Sequence, residues 1–172
     1  MPKEAKNDQI LGELVGLQAI RSVLVDTSSL IYLEKLALLK LLSQEIKLKT
    51  IQEVANEFSA GSQIAFPITI LPALSHIPGY TGLNTDRKLI AQAIAGKYCL
   101  LSDDRRILRS AIEAGLPAHA AIMMVLLLHF RGLIDQAGYE KARNQLADWA
   151  RYDRQLLNYA DQLYCMFGKF FG

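Results

Sequence analysis

Two short apolar runs, Val23-Leu24-Val25 and Tyr98-Cys99-Leu100-Leu101, are each cut off by aspartate: Asp26 at once, Asp103 and Asp104 after a single serine. β-Branched and aliphatic content with so abrupt a polar end predicts strands buried on both faces, as in parallel sheets. Helical patterns fill the space between them, so the chain reads as α/β with a parallel sheet. With 172 residues, 51% of them hydrophobic, it can bury one core and carry an appendage.

The remaining elements follow from local chemistry. Ser28 to Leu42 predicts a helix whose leucines are too dense for a narrow stripe, with a break near Ala37. Ile46 to Leu48 predicts a strand, and Thr50-Ile51-Gln52-Glu53 matches a capping box opening a helix that closes near Gly61. Between Ile64 and Thr85, punctuated by proline and glycine, Ile68 to Leu71 reads as a short edge strand. Asp86 to Gly96 is helical, with Leu89, Ile90, Ala93 and Ile94 on one side. Ser102 is placed to cap a helix from Arg105 to Ala114, stopped by Gly115 and Pro117. After Pro117 only helices are expected, Ala118 to Arg131 and Tyr139 to about Leu163, the latter amphipathic. The closing YCMFGKFFG carries exposed-looking aromatics, read either as surface buried against a partner or as a disordered end. The organisation is an N-terminal extension over 1–20, a core over 21–118 and a helical extension over 119–172 that packs on the core or on a partner.

Charge decides little: 19 basic and 17 acidic side chains leave a net +2, so nucleic-acid binding must come from local clustering. Cys99 and Cys165 lie among apolar neighbours and read as buried thiols, and the lack of a CxxC pair suits a reducing cytoplasm. The opening MPKEAKNDQILGELVGLQAIRS has mixed charge and none of the parts of a secretory leader. The longest apolar run, Ala120 to Leu128, is about half of what a bilayer requires. A cytoplasmic protein without membrane attachment is the expectation.

In an open parallel sheet, sites form beyond the carboxyl ends of the strands. Asp26 follows one strand, Asp103 and Asp104 another; Asp86 opens the helix leading into the second, and Glu57 lies on the helix after the candidate strand at 46–48. If these strands are neighbours, the acids meet. Two like charges about 5 Å apart cost about 3 kcal/mol at an effective dielectric near 20, a penalty that a divalent cation removes. Oxygen-only, acid-rich sites favour Mg²⁺ or Mn²⁺ and phosphodiester hydrolysis. Each acid has a structural reading too: Asp26 as a helix cap, Asp86 as a first-turn charge complementing the helix dipole, Glu53 as the acid of the capping box. Of Asp103 and Asp104, one reads as a ligand and the other as a helix-dipole or supporting acid.

The segments VLVDTSSLIYL, IQEVANEF, TDRKLIAQAIA and LLSDDRRILRSAIEAGLP resemble, in order, the four acidic motifs of PIN-domain ribonucleases, over roughly residues 21 to 118. HFRGLID resembles the continuation seen in a prokaryotic PIN-like subgroup with a further helical stretch, although His119 and Ala120 stand where that subgroup commonly has Gly-Thr. The resemblance implies a Rossmann-like three-layer sandwich around a parallel sheet and a Mg²⁺- or Mn²⁺-dependent endoribonuclease. Its catalytic acids fall on Asp26, Glu57, Asp86 and Asp104, with Asp26, Asp86, Asp104 and the adjacent Asp103 around the metal. Thr27, Ser28 and Ser102 are hydroxyl neighbours; Arg87, Lys88, Arg105, Arg106 and Arg109 flank the acids and are candidates to hold the phosphates of substrate RNA, Arg87 and Arg105 foremost. Homodimers, and toxins covered by a small antitoxin protein, are further implications.

Other chemistries lack their residues. His76, His119 and His129 are isolated and show no zinc spacing, and no GxGxxG, GxxxxGK[ST] or GxSxG occurs. VDTSSL supplies neither the DxDx[TV] order of a haloacid-type phosphatase nor a receiver's arrangement. The competing reading is a catalytically inactive PIN-like module that binds or regulates through its helical extension.

Overall fold

In the computed structural model, which describes residues 3–61, 63 and 65–171, the chain divides into two compact units, one of residues 21–121 and one formed by 1–20 together with 122–172. The first is α/β. Its strands β1 (Ser22–Val25), β2 (Lys47–Ile51), β3 (Thr69–Leu71), β4 (Leu100–Leu101) and β5 (Ala118–His119) form a sheet in the order β3-β2-β1-β4-β5. Every pairing is parallel, and helices flank the sheet as in a Rossmann-like three-layer sandwich. β1 lies at the centre, and Val23, Leu24 and Val25 are fully buried, which accounts for their uninterrupted apolar character.

The connecting helices of this unit are α2 (Thr27–Lys35), α3 (Leu39–Glu45), α4 (Gln52–Ser59), α5 (Thr85–Gly96) and α6 (Arg105–Glu113). α2 and α3 are separated at Ala37, whose φ of 57° places it in the left-handed region, where the expected break falls. Three local expectations are corrected. Thr50 does not open a helix: it lies in β2 and its hydroxyl donates to the carbonyl oxygen of Val25 at 2.9 Å. α4 therefore starts at Gln52 without a side-chain cap, and Glu53 instead pairs with Lys88 at 2.7 Å, which lowers its carboxyl pKa. The cap of α6 is Asp104, not Ser102. On α5, Leu89 and Ala93 are buried but Ile94 is half exposed.

The second unit is helical: α1 (Lys3–Ala19), α7 (Ala121–Phe130, whose first residue ends the other unit), α8 (Gln136–Trp149) and α9 (Arg154–Phe171). α1 buries Ile10, Leu14 and Leu17, one face at helical spacing, and packs on α9. The single long helix expected after Tyr139 is two, broken at Arg151 with φ 50°, and Arg143 of α8 joins Asp161 of α9 through two bonds of 2.7 and 2.6 Å. His129 is packed as expected, stacked on Tyr164 with its Nδ1 3.1 Å from the Ile134 carbonyl. In the tail, Phe167 stacks on Phe130, while the side chains of Phe170 and Phe171 lie outside those described. Cys165 is exposed and Cys99 is partly buried, against the expectation of two buried thiols. No helix among the described residues is long and apolar enough to cross a membrane.

Candidate functional site

The chain runs outward from β1 to β2 and β3, then returns to place β4 on the other side of β1. At such a reversal, the loops leaving the two central strands diverge and open a crevice at their carboxyl ends. The loop from β1 carries Asp26 and that from β4 carries Ser102, Asp103 and Asp104, so topology makes these residues neighbours.

Asp26 continues the ladder, its amide donating to the Leu101 carbonyl at 3.0 Å, and then caps α2 by accepting the Ser29 amide at 2.8 Å. The residue is only 5% exposed. Ser28 Oγ donates to it at 2.9 Å and Ser102 Oγ at 2.5 Å. Burial pushes its pKa up to about 6, against the lowering effect of the Ser102, Ser29 and Ser28 donors and with a further push from the negative charge of Asp103. Ser102, itself buried, also accepts the Asp104 amide at 3.1 Å.

Glu57 projects from α4 and is held at both oxygens, by Thr27 Oγ1 at 2.6 Å and Thr85 Oγ1 at 3.1 Å. Asp86 occupies the first turn of α5, behind the cap Asn84. Asp104 accepts the Arg106 amide at 2.7 Å and meets the Arg106 guanidinium at 3.3 Å. Partial burial raises its pKa, but Arg106 and the backbone amides outweigh that effect and the net shift is downward.

Asp26, Glu57, Asp86 and Asp104 line one cavity of about 160 Å³, with Thr27, Ser28 and Thr85 beside them and Val54, Leu89 and Ile107 as apolar wall. A space of this size is smaller than the cavities that enclose drug-sized molecules; it suits a charged centre on a larger substrate.

Asp103 does not line this cavity. It accepts Ser29 Oγ at 2.6 Å and the Ala121 amide at 3.0 Å, so of the adjacent aspartates only Asp104 faces the pocket. In this placement Asp103 ties its own loop to the segments of Ser29 and Ala121. Arg87 and Arg105 are both exposed; Arg87 lines an adjoining groove, whereas Arg105 lines neither space. Sequence reasoning missed Thr85 and Ser29. Both sit at positions where helix-start chemistry signals them, Thr85 directly after the cap Asn84 and Ser29 three residues after the cap Asp26.

The donors present, carboxylate and hydroxyl oxygens only, fit a hard divalent cation in kind. As placed, Asp26, Glu57 and Asp104 accept hydrogen bonds from protein donors, and among the described residues no three or more His, Cys, Asp or Glu side chains are grouped so as to hold a metal ion. Comparison with protein-family models, with curated proteins and with solved structures finds no match for the chain.

Proposed function

We propose that the acidic pocket hydrolyses RNA phosphodiester bonds, as a PIN-like metal-dependent endoribonuclease. The observation that carries this reading is the convergence of Asp26, Glu57, Asp86 and Asp104, from separate segments, onto one cavity at the sheet's reversal point. The lining of this cavity carries four carboxylates and no cationic side chain, a donor set that suits a positively charged occupant. Asp26, Asp86 and Asp104 would hold Mg²⁺ or Mn²⁺, which when bound neutralises phosphate oxygens and lowers the pKa of water.

The chain's own groups position and move protons. Ser28, Ser102 and the Ser29 amide fix the Asp26 carboxylate, and Thr27 and Thr85 fix Glu57. Each Glu57 oxygen accepts one hydrogen bond and keeps a free lone pair, so Glu57 takes a proton from the attacking water as its oxygen bonds to phosphorus. One bridging P–O bond breaks, and the leaving oxygen is protonated from solvent. An inhibitor protein covering the pocket would make the chain the toxin of a toxin–antitoxin pair, and a second copy would complete a homodimer.

One observation favours a non-catalytic module acting through the helical unit instead: among the described residues no three or more His, Cys, Asp or Glu side chains are grouped so as to hold a metal ion. Cleavage of labelled single-stranded and structured RNAs with and without Mn²⁺ separates the two. The nuclease reading expects metal-dependent cutting by the wild type that is lost in Asp26→Asn and Asp104→Asn. Asparagine caps helices as well as aspartate does, so both variants keep the fold. Wild-type protein that cuts no RNA, or variants that cut as well as it does, would overturn the reading.

A further inference from the structure

A second depression, about 320 Å³ in volume, lies between α5 and α6 and shares Asp86 and Ile107 with the lining of the acidic pocket, so the two adjoin. Its character differs. Arg87 and Ile90, three residues apart on α5, face Arg106 and Ser110, four apart on α6, the spacings that put side chains on one helical face. Arg87 is exposed, and its side chain makes no hydrogen bond or ion pair among the described residues. Arg106 reaches Asp104 with one nitrogen at 3.3 Å and is mostly solvent-exposed, leaving most of its donors for another acceptor.

We propose that this groove holds the RNA phosphate next to the one that is cut, with Arg87 and Arg106 as its ligands. The inference rests on the nuclease reading above and deepens it. A ligand that spans both spaces must present anionic oxygens to two guanidinium groups and, immediately beside them, a group compatible with four carboxylates and a cation. A polyphosphodiester strand does both: one phosphate sits at the arginines, and the next is neutralised over the acids. Guanidinium groups suit such phosphates because their planar donors can pair with two oxygens at once. The arginines contact backbone and not base edges, so the groove sets register along the strand without selecting its sequence.

The test measures binding separately from cleavage, with a fluorescently labelled 12-nucleotide oligouridine in EDTA, titrated at several salt concentrations. Arg87→Ala is expected to weaken binding and lower the slope of log affinity against log salt, and the Arg87→Ala/Arg106→Ala double variant to lower it by about 0.7 in all, the share of the one phosphate that the groove holds on a single strand. Lys141→Ala, which removes an exposed charge from the helical unit, is the charge-matched control and should leave the slope unchanged. Ser110→Arg adds a charge to the same groove and should tighten binding, a gain that misfolding cannot mimic. Slopes unchanged in the arginine variants, or lowered equally by Lys141→Ala, would overturn the groove assignment. The same assay distinguishes it from the reading it rests on. A wild type that binds with the expected slopes yet cuts nothing in Mn²⁺ keeps the groove and loses the nuclease; one that cuts while the slopes stay fixed does the reverse.

Discussion

Ser102 donates its hydroxyl to Asp26 across the two strands at which the sheet reverses, at 2.5 Å, and the same oxygen accepts the amide of Asp104 at 3.1 Å. One side chain thus ties the buried acid of the first strand to the acid that faces it from the other. Ser102→Ala leaves the Asp104 amide without this acceptor and removes a donor that holds the Asp26 pKa down. The expected outcome is a loss of about 1–3 kcal/mol in denaturant unfolding and a pH–activity profile displaced to higher pH, read from initial rates of RNA cleavage. A displacement to lower pH would contradict the assigned direction of the bond.

Asp26 gives the pH dependence of stability a definite sign. Its pKa rises from 3.8 to about 6 in the fold, so between those values the folded chain binds more protons than the unfolded one, and the group's contribution to stability falls as pH increases. That contribution is fully present below pH 4 and lost once pH passes about 6. Asp26→Asn removes the ionisation, so at pH 7.5 it is expected to be more stable than the wild type, by no more than about 3 kcal/mol, while losing activity. Thermal melts of both proteins from pH 4 to 8 should converge at the acid end. A variant less stable than the wild type at pH 7.5 would count against a buried, desolvated carboxylate.

The adjacent aspartates are expected to separate by function. Asp104→Asn retains a competent cap for α6 and should lose RNA cleavage with little change in melting temperature. Asp103→Ala loses the acceptor for Ser29 Oγ and for the Ala121 amide and should cost about 1–3 kcal/mol in stability. Removal of its charge also relieves one of the influences that raise the Asp26 pKa, so its remaining activity should peak at lower pH. Equal loss of activity without loss of stability in both variants would place Asp103 at the pocket after all.

Much of this was legible in the sequence because burial on two faces leaves a plain mark. Val23-Leu24-Val25 is apolar throughout since β1 is central in the sheet and its side chains are buried on both faces, and an aspartate directly after it falls where the crevice opens. Ala37 marked its own helix break by interrupting a leucine-rich run. What stayed hidden depends on contacts distant in sequence. Thr50 has helix-start chemistry nearby, yet the carbonyl of Val25 holds it in a strand. β5 consists of two residues, Ala118 and His119, too few to show a period, and the break at Arg151 is carried by a residue with no evident left-handed preference. Which aspartate of the pair turns to the pocket was decided by Ser29 and the Ala121 amide, which capture Asp103.

Isothermal titration of Mn²⁺ into the metal-free protein at pH 7.5, beside Asp26→Asn and Asp104→Asn, tests the central claim that these carboxylates together hold a divalent cation. Saturable uptake by the wild type, weakened at least tenfold in each variant, is the expected result. No uptake by the wild type, or equal uptake by all three proteins, would contradict it.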